Sequence, residues 1–250
     1  MSTPFFRFRR FTVWHDRAAM KVGTDGVLLG AWAGLPPAGS AAPLRVLDIG
    51  TGTGLVALML AQRLEVKGQG GADVHIDAID IDRPSAQQAA DNFAASPWAG
   101  SLQAHNISLQ DFCAACTHAY SLIVSNPPFY QHSLLCPDVR RTAARHTCTL
   151  SYAELLHGTA QLLAGSGKAA FVLPADVQTS FLALAAGEGL APVRLVQVRG
   201  NSGKPAKRLL AEFVKAEQAP LVKIEKDIVL TDMDGARTPE YSALTSAFYL

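Results

Sequence analysis

The sequence lacks the features that would place it in a membrane or outside the cell. No apolar run approaches the roughly 20 residues of a membrane-spanning helix. The first residues, "MSTPFFRFRRF", contain neither the apolar stretch nor the cleavage site of a signal peptide. Internal repeats and low-complexity segments are also absent. Because 49% of the 250 residues are hydrophobic, the chain can bury one large core, and we expect a folded cytoplasmic protein.

Cysteine is scarce, and the four residues are Cys113, Cys116, Cys136 and Cys148. The first two form a C-x-x-C pair, but the second two are too widely spaced to complete a ribbon-type zinc site. His15, His105 and His146 have no acidic or cysteine partners at the spacing of metal ligands. We therefore expect reduced thiols and a chemistry that uses no metal.

Charge of one sign is not in excess, because the net charge is +1. The chain therefore lacks a uniformly basic surface. Its basic residues instead include three short groups, which are Arg7, Arg9 and Arg10; Arg140, Arg141 and Arg145; and Lys204, Lys207 and Arg208. These groups suit an anionic partner, and arginines scattered on solvated loops are the other interpretation.

Strands and helices are predicted to alternate along the chain from residue 44 onward. Apolar runs in "RVLDIG", "VHIDAIDI", "LIVSN" and "KAAFVLP" indicate buried strands. Helical patterns lie in Leu55 to Leu64, in "RPSAQQAADNFAA" and in "SYAELLHGTAQLLAGSG", the last with Ser151 as its N-cap. "VRLVQVRG" and "RLLAEFVKA" follow as adjacent C-terminal strands. This order predicts an α/β fold with a mostly parallel sheet, an antiparallel C-terminal strand pair, and helices on both faces.

A glycine-rich turn, "LDIGTGTGL", joins the first of these strands to the first helix. Gly50, Gly52 and Gly54 allow the backbone to approach a ligand closely and leave the helix N-terminus open toward it. Asp80 lies at the end of the next strand, where its carboxylate can accept two hydrogen bonds from a ribose diol. The two features together predict a nucleotide-like cofactor at this edge of the sheet.

The residues around this turn favour one class of cofactor. A dinucleotide site normally has the spacing G-x-G-x-x-G, whereas the glycines here alternate with threonines. Asp48 would repel a pyrophosphate but attract the ammonium group of a zwitterion. S-adenosylmethionine carries such an amino-acid group together with a ribose and an adenine. We therefore favour S-adenosylmethionine over NAD, and over a glycine turn that binds no ligand.

The segment "SNPPFY" ends the fourth predicted strand with a stiff corner. Asn126 offers a side-chain carbonyl, and Pro127, held by Pro128, offers a backbone carbonyl in a fixed direction. Two acceptors around the hydrogens of an aromatic amino group favour its pyramidal form and free its lone pair to attack a methyl group. Phe129 supplies a ring on which a planar base can stack. The corner therefore predicts methylation of a planar amino group, and a strand cap with Asn126 bonded to its own backbone is the alternative.

Longer blocks of the sequence resemble a known family. Beside "LDIGTGTGL" and "SNPPFY", these are "FTVWHDRAAMKVGTDGVLLGAWA" (Phe11 to Ala33), "SPWA" (Ser96 to Ala99) and the terminal "YSALTSAFYL". On these residues the chain resembles the class I S-adenosylmethionine-dependent methyltransferases, and among them the bacterial adenine-N6 methyltransferases of tRNA1(Val). The resemblance implies a Rossmann-like three-layer sandwich with a seven-stranded sheet. It also implies an N-terminal extension over residues 1–43 that covers the cofactor and substrate cleft, and a methyltransferase domain over residues 44–250.

The resemblance implies roles for individual residues as well. The implied cofactor-binding residues are Lys21, Thr24, Asp48, Gly50, Gly52, Gly54, Asp80, Ile81, Ser108 and Asn126. Thr24 would contact the methionine carboxylate, and Asp80 the ribose hydroxyls. Ser108 stands where we expect an acid beside the cofactor adenine, so either Ser108 or Asp111 makes that contact. The implied catalytic residues, which hold the target adenine, are Asn126, Pro127, Pro128 and Phe129.

The same resemblance implies a transfer RNA, tRNA(Val), as the partner of a monomer or weak dimer. The three basic groups are then the expected RNA-binding residues, and contacts to phosphates would make binding salt-dependent. An amino group of ribosomal RNA, a protein glutamine side chain and DNA adenine are alternative substrates, although the last two would require a further domain. A catalytically inactive RNA-binding module is the alternative outside the enzymes.

Overall fold

The computed structural model describes residues 3–37, 43–66, 74–128 and 150–250. Four residues predicted for catalysis or RNA contact lie outside these ranges, and they are Phe129, Arg140, Arg141 and Arg145. Cys136, Cys148 and His146 also lie outside them. Within the described ranges, no helix combines the length and the apolar character that crossing a membrane requires.

A nine-stranded sheet forms the middle layer of the described structure. Before it, β1 (Phe5–Arg7) and β2 (Thr12–Trp14) pair as a separate antiparallel hairpin. The long strands of the sheet are β3 (Leu44–Ile49), β4 (Val74–Asp80), β5 (Leu102–Asn106), β6 (Tyr120–Ser125), β7 (Leu163–Pro174), β8 (Leu190–Arg199) and β9 (Ala206–Lys215). The two-residue strands β10 (Lys223–Ile224) and β11 (Ile228–Val229) both pair with β8. The predicted seven strands are therefore present, extended by two very short ones.

The order of the long strands is β8-β9-β7-β6-β3-β4-β5. Strand β9 runs antiparallel to both of its neighbours, β7 and β8, whereas the pairs between β7 and β5 are parallel. This arrangement confirms the prediction of a mostly parallel sheet with an antiparallel C-terminal strand pair. The chain adds β4 and β5 on one side of β3, and then β6 and β7 on the other side. The strand order therefore reverses between β3 and β6, and a crevice opens at the carboxyl ends of these two strands.

Helices cover both faces of this sheet. They are α1 (Thr24–Trp32), α2 (Leu55–Val66), α3 (Arg83–Ala94), α4 (Leu109–Ala115), α5 (Tyr152–Leu162), α6 (Gln178–Gly187) and α7 (Pro239–Thr245). Short 3-10 turns lie at Ala99–Ser101, Ala175–Val177 and Ala216–Gln218. Ser151 caps α5 as predicted, because its side chain accepts from the Glu154 backbone while the Glu154 side chain accepts from the Ser151 backbone.

The sequence prediction is wrong where α5 meets β7. The residues "LAGSG" were expected to end the helix, but Leu163 already begins the strand. Gly167 explains how the strand continues through them, because a Cβ at this position would lie 2.7 Å from the Tyr120 carbonyl oxygen. The glycine therefore allows β7 to lie close to β6, and the pairing register shifts between Tyr120 and Leu122.

Two apolar cores lie on the two faces of the sheet. Strand β3 shows the alternation, since Val46 belongs to the core on one face and Leu47 to the core on the other. On the first face, α1 packs against α2 so closely that a Cβ at Gly30 would lie 2.8 Å from the sulfur of Met59. The helices on both faces hold the strand ends in place, and these ends form the site described next.

Candidate active site

A cavity of about 330 Å³ opens at the carboxyl ends of β3, β4 and β6. Its volume is within the range of small-molecule and cofactor sites. The wall is formed by the glycine turn after β3, by Asp80 and Ile81 after β4, by Ser108 at the start of α4, and by Asn126 after β6. The separately predicted cofactor turn and proline corner therefore meet at one cavity.

The glycine turn uses its glycines in two different ways. Gly50, Gly52 and Gly54 have φ values of +70°, +57° and +80°, which side chains rarely adopt. Gly50 and Gly52 line the cavity, and no atom lies within 4 Å of a Cβ built on either residue. A Cβ on Gly54 would instead overlap the ring of Phe93. Gly54 was predicted to bind the cofactor, but the structure places it in the packing between the turn and α3.

Asp80 joins the turn to the end of β4. Its Oδ2 accepts a hydrogen bond from the Gly52 amide at 2.9 Å, and its Oδ1 accepts one from the Asp82 amide at 2.9 Å. Burial raises the pKa of this carboxyl, and these two backbone donors act against the rise. A carboxylate has about four acceptor positions, so Asp80 keeps acceptors for two hydroxyl groups from the cavity.

Asp48 lies beneath the turn and is buried. Its Oδ2 accepts a hydrogen bond from the Thr51 hydroxyl at 2.7 Å. Burial raises the pKa of Asp48 to about 7, despite that bond and another from the Ala57 backbone. The cavity wall formed by the described residues does not include Asp48, Lys21 or Thr24, although all three were predicted as cofactor-binding.

Asn126 leaves an acceptor unpaired at the corner after β6. Ser125 fixes the end of this strand, because its hydroxyl donates to the Ile49 carbonyl at 2.8 Å. Asn126, Pro127 and Pro128 then line the cavity. The Oδ1 atom of Asn126 is buried, and none of the described residues donates a hydrogen bond to it. The alternative that Asn126 caps its own backbone through this oxygen is therefore not what the structure shows.

Ser108 lies in the cavity wall, whereas Asp111 does not. The Ser108 hydroxyl caps α4 by accepting from the Asp111 amide at 3.1 Å, and it donates to Asp111 Oδ2 at 2.6 Å. Of the two residues predicted to contact the cofactor adenine, Ser108 is the one that borders the cavity. Asp111 fixes the orientation of its hydroxyl.

The comparisons with known proteins identify the family of this chain. Residues 40–181 match the family model described as Methyltransferase small domain. A relative from Bacteroides fragilis is 46% identical, covering 100% of this chain and 99% of its own length, and one from Parabacteroides distasonis is 43% identical with the same coverages. Both bear the name tRNA1(Val) (adenine(37)-N6)-methyltransferase. The chain belongs to this methyltransferase family.

More distant comparisons bear on the same family and on the fold. A relative of the same name from Cronobacter sakazakii is 42% identical over 98% of this chain and 94% of its own. The crystal structure of a predicted O-methyltransferase from Agrobacterium tumefaciens has a TM-score of 0.64 at 15% identity, covering 90% of this chain and 96% of that chain. This likeness supports the predicted methyltransferase fold and carries no information on substrate.

Several parts of the methyltransferase cavity were missed by sequence reasoning. Ala19 and Met20, from the segment before α1, form part of the wall. Gln110 and Glu154 also line it, and Gln110 Nε2 donates to Glu154 Oε1 at 3.1 Å. Gln110 and Glu154 are 44 residues apart in the chain, so no local pattern indicates that they meet. No group of three or more potential metal ligands occurs among the described side chains of this methyltransferase.

The basic residues predicted for RNA contact differ in the partners that the structure gives them. Arg10 pairs with Glu65 at 2.9 Å, Arg9 donates to the Tyr249 carbonyl, and Arg208 pairs with Asp25 at 2.8 Å. These three arginines connect parts of the methyltransferase to one another. Arg7, Lys204 and Lys207 are exposed.

Proposed function

We propose that the protein transfers the methyl group of S-adenosylmethionine to the exocyclic N6 of an adenosine in tRNA, releasing S-adenosylhomocysteine. The observation that carries the proposal is the buried, unpaired Oδ1 of Asn126, a residue that lines the same cavity as Gly50, Gly52 and Asp80. A buried oxygen without a donor is costly, and a ligand that supplies an N–H group removes that cost.

The described residues fit the cofactor. Asp80 would hold the ribose diol with its remaining acceptors, and the exposed apolar side chain of Ile81 would contact the adenine ring. Ser108 would contact the amino group of that adenine. Gly50 and Gly52 leave open space where larger residues would reach the ligand. When bound, S-adenosylmethionine supplies an electrophilic methyl group on a sulfonium.

The corner after β6 would orient the amino group to be methylated. Asn126 Oδ1 and the Pro127 carbonyl accept its two hydrogens and direct the nitrogen lone pair away from both oxygens. Pro128 restricts the conformation of Pro127, so this arrangement costs little reorganisation. The proton is lost to water after methyl transfer, and no dedicated base is needed. Phe129, which lies outside the described residues, is proposed to stack on the target base.

The finer parts of the proposal concern the RNA. We assign tRNA(Val) as substrate because the relatives carry its name. The exposed Arg7, Lys204 and Lys207 would contact phosphates, as would Arg140, Arg141 and Arg145 in the segment outside the described residues. Residues 1–43 would form an extension that covers the cleft, which is supported by Ala19 and Met20 in the cavity wall. The protein would act as a monomer or weak dimer.

Methyl transfer to defined RNAs tests this function. The purified protein is incubated with radiolabelled S-adenosylmethionine and unmodified tRNA(Val), and the digested nucleosides are identified by mass spectrometry. We expect label in N6-methyladenosine at a single position. A tRNA whose adenosines 3′ of the anticodon are replaced by guanosine is the matched control and should take up no label. Label in another nucleoside, or in ribosomal RNA alone, would contradict the proposal.

A further inference from the structure

The outer face of the β1–β2 hairpin carries aromatic rings where a solvent-facing surface is usually polar. Phe5 is paired with Trp14, Phe6 with Val13, and Arg7 with Thr12. Directly opposed residues point to the same face of a hairpin, and successive pairs alternate. Val13 is fully buried, so its face packs against the protein. The other face therefore carries Phe5, Trp14 and Arg7, and we call these three residues the outer hairpin face.

Trp14 is exposed on this face but held firmly by its backbone. Its side chain is 43% exposed, and its ring lies 5.0 Å from that of Phe5 between centroids. Its amide donates to Asn92 Oδ1 at 3.0 Å, and its carbonyl accepts from Asn92 Nδ2 at 2.9 Å. Asn92 is 1% exposed and also donates to the Thr53 carbonyl of the glycine turn at 2.8 Å. The backbone that carries the aromatic ring is thus anchored to the cofactor turn before any ligand binds.

The segment after Trp14 leads directly to the cavity. It lies beside α3, where the Arg17 amide donates to the buried Gln88 side chain at 3.2 Å, and Arg17 pairs with Asp91. The segment ends at Ala19 and Met20, which line the cavity. The six residue-to-residue steps from Trp14 to Met20 span at most about 22 Å. The outer hairpin face is therefore within reach of nucleotides that adjoin a base held in the cavity.

The chemistry of this face fits single-stranded RNA. Successive bases stack on aromatic side chains, and nearby cations neutralise the backbone phosphates. Arg7 supplies an exposed cation on the same face, and the first acidic residue of the chain is Asp16. We propose that the outer hairpin face binds unpaired nucleotides next to the target adenosine, with Trp14 as the ring on which a base stacks. That RNA is the ligand rests on the proposed function.

Substitutions of Trp14 test this surface. We expect Trp14→Ala to weaken tRNA binding between about 5-fold and 150-fold, and to raise KM for tRNA with little change in kcat. Trp14→Phe should recover most of the affinity because it keeps a ring. Cofactor affinity should be unchanged in both variants, because Asn92 contacts only the backbone of residue 14. Ile224→Ala, at a 79% exposed apolar residue on β10, is the matched control and should bind tRNA like the wild type.

Tryptophan fluorescence provides a second readout that does not depend on turnover. Trp32 and Trp98 are only 6% and 8% exposed, so quenching by an unstructured RNA oligonucleotide reports on Trp14. We expect quenching in the wild type and none in Trp14→Ala. Equal RNA affinity of wild type and Trp14→Ala, without quenching, would overturn the proposal. If RNA binding depends on Trp14 but no RNA is methylated, the surface is supported and the proposed function fails.

Discussion

The two sides of the cavity differ in how their polar groups are satisfied. On the cofactor side, Asp80 accepts from two backbone amides and Ser108 is bonded to Asp111. On the corner side, the Oδ1 of Asn126 is buried without a donor from the described residues. The polar groups of the cofactor side are therefore satisfied within the protein, whereas we propose that the substrate satisfies the oxygen on the corner side. Changes on the first side should affect binding and stability, and changes on the second should affect the reaction.

The largest effect expected on the cofactor side comes from Asp80→Ala. This change removes two acceptors of backbone hydrogen bonds and the proposed acceptors of the ribose diol. We expect cofactor affinity to fall roughly 100-fold, since each hydrogen bond to a charged group contributes about 1.5–3 kcal/mol. Isothermal titration calorimetry measures the cofactor affinity of the variant and of the wild type. Asp234→Ala, at an exposed turn residue, is the control, and equal affinities of the two variants would show that Asp80 does not hold the cofactor.

Gly54→Ala tests the packing of the same side. The added methyl group would overlap the Phe93 ring, and residue 54 has a positive φ. We expect the free energy of unfolding to fall by about 3 kcal/mol, as the sum of overpacking and backbone strain. Urea denaturation measures the change. At Gly100, where no atom lies within 4 Å of an added Cβ, alanine should be nearly neutral, and equal stabilities of both variants would contradict the packing role.

The pH dependence of stability tests the burial of Asp48. Because the folded pKa is raised to about 7 from an ordinary value of 3.8, the folded protein holds a proton that the unfolded chain has lost. The contribution of Asp48 to the free energy of unfolding is fully present below the unfolded pKa of 3.8, and it is lost as the pH rises through the folded pKa of about 7. Asp48→Asn should flatten the unfolding free-energy profile by about 3 kcal/mol between pH 5 and pH 8. Parallel profiles for variant and wild type would show that Asp48 is not buried as a neutral acid.

Ser108 provides the smallest expected effect. Ser108→Ala removes an N-cap and the hydroxyl that borders the cavity, so we expect about 5-fold weaker cofactor binding and about 1 kcal/mol less stability. Ser108→Thr keeps the hydroxyl and should bind the cofactor like the wild type. Calorimetry and thermal unfolding give the two values. If Asp111→Ala weakens cofactor binding more than Ser108→Ala does, Asp111 makes the contact instead.

The sequence could predict those features that depend on local chemistry. The alternation of strands and helices, the glycine turn, the Ser151 cap and the Asn126 corner each follow from residues within one turn or one strand end. The structure brings the glycine turn, Asp80 and Asn126 together because parallel strands end at the same edge of the sheet. The predicted roles of these residues in binding and catalysis stay predictions.

The missed features depend on contacts between distant residues. Asn92 fixes Trp14 across 78 positions, and Gly167 admits the Tyr120 carbonyl across the sheet. The environment of Asp48 is likewise set by packing, because a carboxylate near the end of a buried strand can face either the ligand or the turn that follows. No periodicity or spacing within one segment of the sequence indicates these long-range contacts.

The Asn126→Ala variant tests the difference between the cofactor side and the corner side most directly, because it should lower the reaction rate without changing cofactor affinity. Single-turnover methylation of tRNA by this variant is compared with its affinity for S-adenosylmethionine, and Gln103→Ala, at an exposed residue of β5, is the control. We predict a rate at least about 100-fold below that of the wild type, with unchanged cofactor affinity. A wild-type rate in Asn126→Ala would contradict the account.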